Sequence, residues 1–217
     1  MRIVSADLAV FDPAGTAGWY RDSLGATDAG EAAVLIGGTV LRFHPRRAPA
    51  GTGCNHIAFD VAEERLGEAL STARAAGRHL PGDDGAEIQA WPFLSARAVY
   101  LAEPRGDVLE LIARPARGGV GAGPLVEGVA EVGLLVDDAV AAARELTAAG
   151  VPVLGEPTAD FAFVGDLEAR LVLIGPGRPW FPTDRPASET VLAVEVEVRG
   201  APETDVELGP ILVRVGP

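Results

Sequence analysis

Three stretches of this chain share one grammar, and that repetition limits the possible folds more than any other feature. In CNHIAFDVAEE, Cys54 to Glu64, the side chains of Ile57, Phe59 and Val61 fall on one side of an extended strand and those of His56, Ala58 and Asp60 on the other. VSADLAVFD sets Val4, Ala6, Leu8 and Val10 against Ser5, Asp7 and Ala9, and EVGLLVDD sets Val132, Leu134 and Val136 against Glu131, Gly133 and Leu135. In every copy an acidic residue follows seven positions after the residue at the histidine's place: Asp12 after Ser5, Glu63 after His56, Asp138 after Glu131. The unit is a strand with one apolar face that runs into a helix. Of the three copies, the middle one carries the histidine.

The segments between these openings complete each unit. Asp12-Pro13 supplies an N-cap and a proline suited to the first helical position, and the helix through TAGWYRDSLG puts Ala17, Tyr20 and Leu24 on one side before Gly25 stops it. Strands at Ala33 to Ile36 and Thr39 to His44 flank a Gly37-Gly38 turn. Pro45 to Gly53 is a loop with Arg46 and Arg47. The second unit continues with a helix from Glu63 to Ala76, striped by Leu66, Ala69, Leu70 and Ala73, and then strands at Glu87 to Trp91, Ala96 to Glu103 and Asp107 to Arg114, the last two joined at Pro104-Arg105-Gly106. The third has a strand at Val129 to Val136, a helix from Asp138 to Ala149, and strands at Asp160 to Val164 and Ala169 to Ile174. Beyond GPGRPWFPTDRP, the segments Thr190 to Val198 and Val206 to Val215 read as a closing pair of strands with no fourth helix. The Gly- and Pro-rich run before the third unit has no periodicity and reads as a linker.

Charge and composition exclude several classes of function. With 18 basic and 31 acidic residues the chain carries a net charge of -13, which repels nucleic-acid phosphates and anionic membrane surfaces. No apolar run approaches the ~18 residues a membrane span needs, and the opening residues lack a signal-peptide pattern. Cys54 is the single cysteine, so no internal disulfide forms, as suits a reducing cytoplasm. The glycine clusters at Gly118 to Gly123 and Gly175 to Pro179 lack the spacing of a nucleotide-binding loop, and no nucleophile elbow occurs.

Several side chains carry a chemical reading of their own. Glu110 lies among Val108, Leu109, Leu111 and Ile112, a setting that demands a partner or a shifted pKa. His56 reads either as a hydrogen-bonded strand residue or as a ligand. His44 reads as a strand-edge residue, His79 as solvent-exposed and Cys54 as an inert thiol. Trp91, Phe93 and Tyr100 line an apolar cavity or fill a core, and Trp180 and Phe181 pin the C-terminal strands or meet a partner subunit.

Three local signatures, AVFD followed by WYRDSLG, NHIAFDV, and EPRGDVLEL from Glu103 to Leu111, resemble the vicinal oxygen chelate superfamily, which includes glyoxalase I, bleomycin-resistance proteins and extradiol dioxygenases. They cover residues 1–114; the strand-helix pattern and the VGD strand end extend the resemblance through 125–175. It implies an α+β fold in which repeated βαβββ units form open, cup-like mixed sheets with helices on their outer faces. Residues 1–115 would form one complete domain of two paired units, 116–124 the linker, and 125–217 a second, partial domain ending in extra strands. The family's metal ligands fall on Ser5, His56 and Glu110. Because a serine hydroxyl is a poor ligand, the implied site is His56 and Glu110, with Asp7 or His44 as third donor, holding one divalent ion (Zn, Ni, Mn or Fe) or none. Glu131 takes the histidine's place in the third unit, but with no matching glutamate in a terminal strand no second metal is expected in 125–217.

The resemblance further implies a small organic ligand in the cup, bound by Ser5, Asp7, Arg42, Asp60, Trp91 and Tyr100, with Glu110 as the catalytic group. The expected activity is glyoxalase-type isomerase or lyase chemistry ahead of extradiol oxygenation, which needs two histidines and a carboxylate. The alternative is metal-free binding or sequestration of a drug-like molecule. A homodimer is the expected macromolecular partner.

Overall fold

The structure, a computed structural model, describes residues 1–46, 54–104, 106–114, 123–188 and 190–217. Arg47, Arg105 and most of the 116–124 linker lie outside the described residues. In chain order the elements are β1 (Arg2–Val10), α1 (Pro13–Leu24), β2 (Thr27–Asp28), β3 (Ala33–Ile36), β4 (Thr39–Pro45), β5 (His56–Val61), α2 (Leu66–Ala75), β6 (His79–Leu80), β7 (Gln89–Trp91), β8 (Ala96–Ala102) and β9 (Val108–Ala113). They continue with β10 (Gly128–Leu135), α3 (Ala139–Ala148), β11 (Val153–Thr158), β12 (Phe161–Gly165), β13 (Arg170–Ile174), β14 (Val191–Glu197), β15 (Thr204–Leu208) and β16 (Ile211–Gly216).

In the first and third openings the acidic residue acts at its helix N-terminus. The Asp12 carboxylate accepts from the Gly15 amide at 2.9 Å, and Asp138 accepts from the amides of Val140 and Ala141 at 2.9 and 3.0 Å. Both satisfy donors that a first helical turn leaves unpaired. In the middle copy Glu63 instead opens a short 3-10 turn, Glu63–Arg65, and its carboxylate takes the Arg97 guanidinium, with Nε at 2.9 Å. At the far end of α1, Gly25 adopts φ 73° and returns its amide to the Arg21 carbonyl.

Two mixed sheets result. One has the order β15-β16-β14-β1-β4-β3-β2; the other runs β11-β12-β13-β10-β5-β9-β8-β6, with β7 on β8. The helix-side faces of both share one apolar core, in which Tyr20 of α1 lies 5.3 Å from the Phe43 ring of the first sheet and 5.9 Å from Phe59 of the second. Ile57, Phe59 and Val61 face this core, while Ala58 belongs to a separate cluster inside the second sheet's cup, as the alternation requires. No helix among the described residues is long and apolar enough to cross a membrane.

The strand order corrects the expected pairing of units. The first and second units do not share a sheet: β5 of the second runs antiparallel to β10 of the third, and β1 of the first runs antiparallel to β14 of the last segment. The physical reason lies in the edge of β1, which stays unpaired until some strand covers it. The C-terminal segment supplies that cover because it holds three strands, not two. Gly209, at φ 60°, turns the Val206 to Val215 stretch into the antiparallel pair β15 and β16, and β16 pairs with β14. His79 is likewise not free in solvent: it lies on β6, with Nε2 3.0 Å from the Glu87 carbonyl.

Candidate functional site

Pairing β5 with β10 decides which side chains meet. In the row of residues that crosses β10, β5 and β9, Glu131 stands opposite Ala58 and Ala58 opposite Glu110. The two glutamates start about 10 Å apart along the row, two strand spacings, and the small Ala58 side chain between them lets both carboxylates lean inward. His56, two residues along β5 on the same face, meets them there. Its Nε2 is 3.4 Å from Glu110 Oε2 and 3.6 Å from Glu131 Oε2, and all three side chains are buried, at 5 to 6% exposure.

Charge in this pocket is balanced within it. Arg170, fully buried on β13 opposite Glu131, forms an ion pair with Glu131 Oε1 and lies over the Phe163 ring at 5.1 Å, so Glu131 Oε2 remains directed at His56. Burial pulls the His56 pKa down, but the two carboxylates outweigh it and raise it to about 9. For Glu110 burial dominates and raises the carboxyl pKa; for Glu131 burial is outweighed by His56 and Arg170, which lower it. Burial, then the charges of Glu110 and Glu131, hold the Tyr100 phenol well above its ordinary value.

The cup above the cluster is a cavity of about 390 Å³. Trp91, Phe93, Leu94 and Tyr100 form one wall; Phe161, Phe163, Val172 and Ile174 form the other. The roof is the segment between the third unit and the C-terminal strands. A short bridge from Pro179 to Pro186 closes it on itself, and it is tied down by a bridge from Cys54 to Ala187, by Trp180 Nε1 donating to the Cys54 carbonyl at 3.0 Å, and by Arg185 donating to the Gly106 carbonyl. The Trp180 indole stacks on the His56 imidazole at 5.0 Å and 25°, and Phe181 meets Trp91 and Tyr100 edge-on, each at 5.2 Å. Gly133, two residues after Glu131 on the same face of β10, makes room for that indole: a Cβ there would lie 2.6 Å from two of its ring carbons. Among the described residues His56 Nδ1 finds no hydrogen-bond partner, and the Trp180 stack lies against the imidazole's face.

The structure separates the residues expected at the site into three places. His56, Glu110, Trp91 and Tyr100 meet in the cup, with Phe93 at its wall. Ser5, Asp7, Arg42 and His44 belong to the other sheet, where Ser5 Oγ lies 3.3 Å from Glu195 Oε2 and Asp7 takes His44 Nε2 at 2.6 Å and Arg42 at 3.5 Å. Neither Asp7 nor His44 joins His56 and Glu110. Asp60 is also outside the cavity, in a buried ion pair with Arg114. The third group beside His56 and Glu110 is Glu131, aligned with that histidine in the repeat and carried on the strand expected to line a separate cup. Trp180 and Phe181 cover the cavity.

The donor set suits a divalent ion. Two carboxylates and one imidazole offer ligand atoms that all lie within 4.8 Å of one another. Separations of 3.4 and 3.6 Å are long for hydrogen bonds, whereas two atoms about 2.1 Å from a common tetrahedral centre lie about 3.4 Å apart. By register, the position on β13 that corresponds to Glu110 on β9 is Val172, beside Gly133, so no fourth protein ligand is supplied there. That side stays open toward the cavity.

No family model and no curated protein sequence matches this chain. Solved structures do. A candidate dioxygenase from Bacillus subtilis is similar over 99% of this chain and 84% of its own, with a TM-score of 0.63 and 14% identity. A glyoxalase I mutant from Zea mays is similar over 99% of this chain and 93% of its own, with a TM-score of 0.58 and 14% identity. At such identities the likeness is one of fold.

Proposed function

We propose that this chain, which has the fold of the vicinal oxygen chelate superfamily, is a divalent-metal-dependent enzyme that isomerises or cleaves a small organic molecule within the β5–β9–β10 cup. The observation that carries this reading is the buried convergence of His56, Glu110 and Glu131 at ligand spacing beneath a ligand-sized cavity. These three residues would hold the ion, which when bound supplies Lewis-acid polarisation of adjacent substrate oxygens. The Glu110 carboxylate oxygen not given to the ion would take and return a proton during such a rearrangement. Arg170 keeps Glu131 charged and turned toward the cluster, and the Trp180 and Phe181 roof limits entry of bulk water. One histidine with two carboxylates departs from the 2-His-1-carboxylate set of oxygen-activating iron sites, which favours proton-transfer chemistry over oxygenation.

One observation favours a second reading, metal-free ligand binding: protonated His56 and Arg170 already neutralise Glu110 and Glu131 without an ion. Metal titration by calorimetry, with Zn, Ni, Mn and ferrous salts, decides between the two. The enzyme reading expects one ion per chain, lost in His56→Ala and Glu110→Ala and weakened at least about 100-fold in Glu131→Gln. Asp7→Asn and His44→Ala should bind as wild type does. Uptake indifferent to the cup substitutions would sink the metal reading and leave the binding protein.

A further inference from the structure

We propose that Arg178 makes the cup selective for flat aromatic molecules bearing a carboxylate or similar anion, held with the anionic group at the mouth and the ring between the aromatic walls. This deepens the cavity reading above and rests on it. Of the described residues that line the cavity, Arg178 is the one arginine or lysine. Its backbone is fixed, since the Ala187 amide donates to the Arg178 carbonyl at 3.2 Å. Its guanidinium lies 4.5 Å over the Phe161 ring, which itself packs edge-on against Phe163 at 4.8 Å. A guanidinium stacked on a ring keeps its in-plane N–H groups available for a two-pronged contact with a carboxylate.

At present Arg178 Nη1 donates to Asp160 at 2.9 Å, but the two side chains are 40% and 55% exposed. An exposed pair of this kind contributes little to stability, so an incoming anion can displace Asp160 at small cost. The alternative recognition, of a cation at the mouth, is opposed by Arg178 itself. Without an ion the cluster beneath offers no cation to spare, because Arg170 is paired with Glu131 and His56 lies between Glu110 and Glu131. In the metal-free protein an anion thus finds its counter-charge at the rim, with the aromatic walls between it and the glutamates.

Calorimetric titration of the full chain, in chelator, with benzoate, 2-naphthoate and the corresponding carboxamides tests this. Wild type should bind each acid about tenfold or more tightly than its amide. Arg178→Gln should lose that preference while leaving amide affinity unchanged, and Asp160→Asn, which frees the guanidinium, should tighten acid binding severalfold. Equal binding of acid and amide, absence of binding by either, or a preference that survives Arg178→Gln would overturn the proposal. The metal titration above is a separate measurement, so selectivity can fail while the metal reading stands, and the reverse.

Discussion

In chelator, the protein should lose stability as pH rises from about 6.5 to 9, with His56 as the cause. In the unfolded chain the imidazole titrates near its ordinary 6.5; in the folded chain Glu110 and Glu131 raise it to about 9. A group raised on folding contributes stability that is fully present below its unfolded pKa and lost as pH climbs through its folded one. The difference corresponds to about 3 kcal/mol, released at no more than about 1.4 kcal/mol per pH unit. Glu131 is lowered, so its contribution is lost toward acid, outside this window; Glu110 is raised from a carboxylate value, so its loss begins in the acid range. Urea unfolding in chelator at pH 6, 7, 8 and 9.5, extrapolated linearly, reads the effect. Wild type should fall by about 3 kcal/mol through the imidazole, and His56→Gln, which lacks that proton, should follow a clearly different profile across the same range. With saturating divalent metal the wild-type slope should vanish or reverse, because an ion on neutral imidazole releases the proton. Parallel profiles for wild type and His56→Gln in chelator would refute the assignment of that proton to the cluster.

Two further perturbations probe what supports the site. Gly133→Ala drives a methyl to 2.6 Å from the Trp180 ring; the indole must leave its stack on His56, at about 1–3 kcal/mol, and thermal unfolding together with a red shift of tryptophan emission checks this. Arg170→Met leaves buried Glu131 without its cation and should cost about 3–5 kcal/mol in urea unfolding. Adding Glu131→Leu to it should recover much of that loss, and a double variant no more stable than Arg170→Met would show that the pair is not what the first substitution broke.

Local features of the fold were legible because local physics sets them. Asp12 and Asp138 cap helices as their spacing from the strand predicts, and Ile57, Phe59 and Val61 face the helix side while His56 and Ala58 face the cup. Pairing between distant strands is not encoded in period or capping. The edge of β1 is satisfied by β14, nearly two hundred residues away, and no alternation in either strand specifies that partner. The roof was hidden for a related reason: GPGRPWFPTDRP has no period, and only the Gly133 notch against Trp180 shows where its aromatic residues go.

That one pairing also explains why the site was half visible. A carboxylate at the histidine's place in a neighbouring unit can reach that histidine only when the two strands are hydrogen-bonded neighbours. With β5 beside β1, the candidates for third donor would be Ser5 or Asp7; with β5 beside β10, Glu131 arrives opposite Ala58, directly across from Glu110. The first sheet then carries the cost of the exchange. Its residues at the same positions, Ser5 and Arg42, pair with Glu195 and Asp7, and Asp7 also takes His44. His56, Glu110 and Glu131 therefore meet in one cup, an arrangement set by which strand covers which edge.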